Sequence, residues 1–127
     1  MLSGVEAIVE LLILRRQLDE RAGLSTATMV SGYPGSPLGT LDLALENQAE
    51  RLAAHRVIHR PGVNEELALA AVWGSQMGRA VPYKEVDGVA GAWYGKTPGL
   101  DRSGDVLRHA NAMGSGPHGG LVLFCGD

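Results

Sequence analysis

The chain predicts an α/β fold, a parallel sheet with helices on both faces, and three observations carry that reading. Apolar helical stripes alternate with short β-branched runs in the order α-β-α-β-α-β-α-β, as parallel strands require when each returns through a crossover. Glycine supplies 18 of 127 residues, well above its usual share of about 7%, and gathers at the junctions of apolar segments. Two Gly-Pro junctions, "SGYPGSPLG" and "RPGVNEE", directly follow predicted strands, where such folds bind ligands.

Each element has its own justification. Ser3 and Glu6 form an S-x-x-E capping box, and Val5, Ile8, Val9, Leu12 and Leu18 keep near-helical spacing up to a stop at Gly23. The first helix is therefore expected over Ser3 to Ala22. "STATMV" (25–30) reads as a strand ended by the Gly, Pro and Ser cluster. Leu38, Leu41, Leu45, Ala49 and Leu52 make one stripe, predicting a second helix over Leu38 to Ala54. "RVIHR" is a short strand, Pro61 and Gly62 turn the chain, and Asn64 caps a third helix running to about Met77. A strand over Val81 to Val86, a Gly-rich segment over Gly88 to Gly99, a helix over Arg102 to Met113 and a last strand "GLVLFCG" complete the prediction.

Composition narrows the function classes. At 127 residues and 45% hydrophobic content the chain has the make-up of one compact domain with one core. Its single cysteine, Cys125, cannot close an intrachain disulfide, and no cleavable leader is legible, so a reducing cytoplasmic setting is the default. Apolar runs are too short to span a bilayer. A net charge of −3 without a long block of one sign gives no footprint for nucleic acid or an anionic membrane. The chain stops at "CGD" just after an apolar strand. Residues 1–127 therefore read as an N-terminal piece of a longer polypeptide.

The third helix carries the chemistry. From Leu67 to Trp73 it is apolar on every side, the pattern of a helix buried all round, and Ala68, Ala70, Ala71, Gly74 and Gly78 leave room for another backbone. It begins with Glu65 and Glu66. The helix dipole favours a carboxylate in the first turn by about 0.3–1 kcal/mol, whereas burial opposes ionisation. A carboxyl poised between the two suits proton exchange with a bound heterocycle; the plainer alternative is a pair of exposed first-turn glutamates.

The run Glu65 to Gly74 resembles the pyrimidine-binding helix of thiamine-diphosphate enzymes. With "SGYPGSPLGTLD", "RPGVNEELALAAVWGSQ", "WYGKTPGLDRSGDVLRHAN" and "PHGG" in order, nearly the whole chain is similar to the N-terminal domain of the indolepyruvate ferredoxin oxidoreductase family, within the 2-oxoacid:ferredoxin oxidoreductases. The resemblance implies the thiamine-diphosphate-binding fold. It implies that Glu65 hydrogen-bonds the aminopyrimidine ring nitrogen and favours the imino tautomer that deprotonates the thiazolium carbon. A 2-oxoacid then loses carbon dioxide, electrons pass to iron–sulfur centres and ferredoxin, and the acyl group passes to coenzyme A. Glu66 is one residue out of register and reads as a supporting first-turn carboxylate.

"GYPGSP" matches the family's Tyr-Pro-x-Thr/Ser-Pro element lining substrate and cofactor. The implied cofactor-binding residues are thus Tyr33, Pro34, Gly35, Ser36 and Asn64, with Ser36, Arg102 and His109 toward substrate; a plain Gly-Pro turn and a solvated helix face are the alternatives. The loop lacks the Lys and spacing of a P-loop. His118 is expected in a loop near the crevice rim, and His55 and His59 at the solvated ends of the second strand. Trp73, Trp93 and Tyr94 are expected in the core or an interface.

The Gly-Asp-Gly…Asn element that holds magnesium and diphosphate is absent from these residues, as are cysteines for iron–sulfur clusters. The resemblance assigns magnesium and clusters to other regions or subunits, and the cover over the third helix to a diphosphate-binding domain of the same or a partner chain, in a homo-oligomer. Alone, the chain is expected to be inactive. Two other classes stand beside this one: a non-oxidative thiamine-diphosphate-dependent 2-oxoacid decarboxylase or transketolase-like protein, and a non-catalytic α/β binding module. The aryl preference among 2-oxoacids comes from the family name alone.

Overall fold

The structure, a computed structural model, describes residues 1–35 and 38–127. Helix α1 (Gly4–Arg21) starts at the expected capping box: Glu6 N–H donates to Ser3 Oγ at 3.2 Å and Ser3 N–H donates to the Glu6 carboxylate at 2.7 Å. Strand β1 (Thr26–Gly32), helices α2 (Leu41–Asn47) and α3 (Ala49–Ala54), strand β2 (Val57–His59) and helix α4 (Glu65–Gly74) follow. Strand β3 (Gly88–Lys96), helices α5 (Thr97–Arg102) and α6 (Gly104–Met113), and strand β4 (Gly120–Gly126) complete the described elements. These four strands form one sheet in the order β2-β1-β3-β4, every pair parallel. The chain steps outward from β1 to β2 and then crosses back to β3. Strand order therefore reverses between β1 and β3, and the crevice that such a reversal opens lies at their carboxyl ends.

Alternating strand residues feed two cores. On one face Val30, Ala92 and Tyr94 meet Val9, Leu12 and Ile13 of α1, Leu41 and Leu45 of α2, Leu52 of α3 and Val57. On the other, Trp93 meets Ala68, Leu69 and Val72 of α4, with Met29, Leu100 and Leu107 against them. A fully buried Val, Leu or Ile contributes about 1.5–3 kcal/mol, so the α1 face, richer in such residues, is the stronger half. The α4 face depends more on Trp93, which is 0% exposed.

Several expectations need correction. No strand forms over Val81 to Val86; the third strand is the Gly-rich stretch Gly88–Lys96, central in the sheet. Its small residues are demanded by neighbours: a Cβ on Gly91 would come within 2.5 Å of Val72 Cγ1, and one on Gly88 within 2.6 Å of the Pro117 carbonyl. The second helix breaks at Gln48 (φ −111°, ψ 18°), although Leu45 and Leu52 stay in one core. The helix expected from Arg102 starts earlier, at Thr97, and breaks at buried Ser103, whose hydroxyl donates to the Gly99 carbonyl at 2.8 Å, a back-bond that bends helices. Helix α4 stops at Gly74, and Met77–Arg79 is a 3₁₀ turn. It is not covered all round by this chain: Ala68, Leu69 and Val72 are buried, but Leu67 is 54% exposed and Ala71 and Gly74 are exposed.

Candidate functional site

Three loops meet at the carboxyl ends of β1, β2 and β3, and Gly32 is their junction. Gly32 C=O accepts Gly62 N–H from the loop after β2 at 3.0 Å, and Tyr33 N–H donates to the Tyr94 carbonyl of β3 at 3.2 Å. A Cβ on Gly32 would stand 2.2 Å from that same carbonyl oxygen, so no side chain fits. Gly62 is equally constrained, its added Cβ falling 2.6 Å from Ala68 Cβ of α4.

Glu65 opens α4 at this rim. Asn64 caps the helix, its Oδ1 accepting Leu67 N–H at 2.8 Å. The Glu65 carbonyl accepts the Trp93 indole N–H at 3.1 Å, which ties the helix start to the buried aromatic of β3. Its side chain lies flat against Gly99 of α5: a Cβ there would be 2.4 Å from Glu65 Cγ and 2.8 Å from Oε1. Glu65 is half-buried, and among the described residues no hydrogen bond or ion pair engages its carboxylate. Glu66, one residue on, is exposed. Backbone and neighbours thus fix Glu65 while leaving its carboxyl available.

Behind the rim, Tyr94 and His59 join across β1. Their Oη and Nε2 are 2.9 Å apart. Burial pushes the Tyr94 phenol up to about 12, with Asp42 and Glu46 adding to the rise. Burial also holds the His59 imidazole below its ordinary value, with Glu46 and Asp42 opposing and Arg60 reinforcing the shift. Both are therefore neutral near pH 7, and the imidazole tautomer sets which of the two donates. His59 also lines a cleft of about 380 Å³ with Glu46, Leu52 and Arg60. It is a partly buried hydrogen-bonded residue rather than the solvated strand end expected.

The fold gathers some of the expected site residues and disperses others. Tyr33, Pro34 and Gly35 follow β1 at the rim with Asn64 and Glu65; Ser36 lies outside the described residues. Arg102 is exposed at the far end of α5. His109 stands 6.0 Å, ring to ring, from Trp73 and holds the Asp105 carbonyl at 2.9 Å. Trp73 is about 12 Å along α4 from Glu65, so His109 is not brought to the rim. His118 lies at the opposite end of the sheet, its carbonyl against Gly88 at the start of β3, rather than near the crevice. Sequence reasoning missed Lys96, Gly99 and the His59–Tyr94 pair. The Pro at the first turn of α5 was the available signal, since Pro after an extended residue commonly opens a helix.

Among the described residues no group of three or more His, Cys, Asp or Glu side chains could hold a metal ion, and no helix is long and apolar enough to cross a membrane. Comparison with protein-family models, curated proteins and solved structures finds no match.

Proposed function

We propose that this chain is the pyrimidine-side domain of a thiamine-diphosphate-dependent 2-oxoacid:ferredoxin oxidoreductase of the indolepyruvate type. The observation that carries the reading is Glu65: a carboxyl group at the β1/β3 reversal, positioned through Trp93 and Gly99 and engaged by no described partner. These residues fit the cofactor's requirements. Glu65 offers the carboxyl that an aminopyrimidine ring nitrogen needs, and Gly32, Gly35, Gly62 and Gly99 let the loops, α4 and the Glu65 and Lys96 side chains pack closely enough to bring that carboxyl to the rim. When bound, the cofactor supplies the carbon nucleophile and electron sink for 2-oxoacid decarboxylation.

The protein's share is orientation and proton control. Glu65 holds a proton at its carboxyl oxygen against the ring nitrogen, and the α4 dipole stabilises the anion left when it moves. Exposed Val63 (79%) and Leu67 (54%) extend the apolar face of α4 beside the rim. A diphosphate-binding domain of the same or a partner chain, seated there in a homo-oligomer, would exclude water and bring the magnesium. Iron–sulfur centres elsewhere would carry electrons to ferredoxin while coenzyme A accepts the acyl group. Cys125 is free, consistent with a reducing cytoplasmic setting.

The test uses the assembled enzyme. Wild type should bind thiamine diphosphate and reduce a viologen dye with a 2-oxoacid and coenzyme A, and Glu65→Gln should keep cofactor affinity while losing about 100- to 10,000-fold in turnover. Wild-type protein that binds no thiamine diphosphate would overturn the reading.

A further inference from the structure

A 2-oxoacid carries a carboxylate one bond from its reacting carbonyl, so a cation on the rim that Glu65 opens would complement it. Resting on the function proposed above, we infer that Lys96 is the residue that binds the substrate carboxylate. The sequence candidates for this task are elsewhere: His109 is held by Trp73 and Asp105, and Arg102 is exposed at the last turn of α5.

Two cations stand at the carboxyl edge among the described residues, and their places differ. Arg60 follows the outer strand β2 and lines the cleft shared with Glu46 and His59. Lys96 ends β3, at the reversal point itself. Its stem runs along the loop after β1: a Cβ on Gly35 would meet Lys96 Cγ at 3.0 Å and Cδ at 3.1 Å. Three residues later Gly99 receives the Glu65 side chain. Gly35 and Gly99 therefore act as a pair, each giving a charged side chain a flat path onto the same rim. Lys96 is exposed in an extended conformation just before α5, and among the described residues no ion pair uses it. Its ammonium is a compact charge on a flexible stem, able to exchange water for a carboxylate once a second domain closes the rim.

The assignment also explains why the loop after β1 carries glycine at position 35. A side chain there would push the Lys96 stem aside without changing its charge.

The test compares Lys96→Met, Lys96→Arg and Gly35→Val with wild type in the assembled enzyme. Lys96→Met should raise the KM for the 2-oxoacid about 100-fold, leave thiamine diphosphate affinity and the KM for coenzyme A unchanged, and lose wild type's preference for the acid over its uncharged methyl ester. Lys96→Arg should recover most of the KM, and Gly35→Val should raise KM in the same direction as Lys96→Met. An unchanged KM and an unchanged acid-to-ester preference in Lys96→Met, with cofactor still bound, would overturn this assignment alone. Failure of wild type to bind thiamine diphosphate would remove the functional reading and the assignment with it.

Discussion

The two ends of the sheet treat their polar groups in opposite ways. At the amino end Arg16 is 1% exposed and fully engaged: Nε donates to the His55 carbonyl at 3.1 Å, Nη1 to Thr26 Oγ1 at 2.9 Å and Nη2 to Glu20 at 2.8 Å. The Thr26 hydroxyl donates a hydrogen bond to the Asp19 carboxylate, which Arg15 approaches at 2.9 Å. At the carboxyl end the Glu65 and Lys96 side chains run past Gly99 and Gly35, and neither is paired with a described charge. An interlocked network around a buried guanidinium serves the fold; a carboxyl and an ammonium left unpaired at a rim are open to a ligand.

Substitutions can break that contrast, beginning with the severest. Gly32→Ala puts a Cβ 2.2 Å from a backbone oxygen that cannot move without unpairing β1 from β3. It should cost about 4 kcal/mol or more, seen as loss of a cooperative urea transition; a variant melting like wild type would show that the junction is not rigid. Arg16→Met removes the centre of the amino-end network and should lower unfolding free energy by about 1.5–3 kcal/mol while leaving the cofactor affinity of the folded fraction unchanged. Equal losses of stability in Arg16→Met and Glu65→Gln would erase the distinction between the two ends.

The His59–Tyr94 pair predicts a pH signature at both extremes. His59 has a folded pKa below its unfolded value, so the unfolded state takes up protons first and stability falls as pH drops below about 6.5. Tyr94 has a folded pKa raised to about 12, so its contribution is intact below pH of about 10 and is lost as pH rises toward that value. Tyr94→Phe should flatten the alkaline limb of a urea-denaturation series and cost about 1 kcal/mol at neutral pH; an unchanged alkaline limb would contradict the burial of the phenol beside Asp42 and Glu46. The smallest effect is expected at Gly74, where an added Cβ meets nothing within 4 Å. Gly74→Ala should stabilise the isolated chain by about 0.5–1 kcal/mol and weaken any assembly that packs a backbone against the open face of α4.

Much of this architecture was legible in the residues. The capping box, the stripe through Leu41, Leu45 and Leu52, the Asn64 cap and the meeting of "SGYP" with "RPGVNEE" all rest on local chemistry that the fold keeps. Strand β3 was not legible, because "GVAGAWYGK" has low intrinsic β preference and is shaped by helices that pack on it from distant sequence. "VPYKEV" misled in the other direction: its β-branched ends suggest a strand, yet Pro82 and its charged residues stay exposed while Tyr83 packs over Gly78. Misplacing that strand hid Lys96 and Gly99, since their meaning depends on standing at the end of β3 and in the first turn of the helix that follows it. The place of Glu65 in the first turn of its helix was readable because the Asn64 cap and the two carboxylates lie within one turn.

The central claim is that Glu65 is held in place so that its proton, rather than its contribution to folding, is what matters. Deuterium exchange at the thiazolium carbon of thiamine diphosphate bound to the assembled enzyme, followed by NMR, measures this directly in wild type, Glu65→Gln and Glu66→Gln. Exchange should slow about 100- to 10,000-fold in Glu65→Gln and remain within a few-fold of wild type in Glu66→Gln. Near-normal exchange in Glu65→Gln, or equal and mild slowing in both variants, would contradict the account and leave the two carboxylates as stabilisers of a helix start.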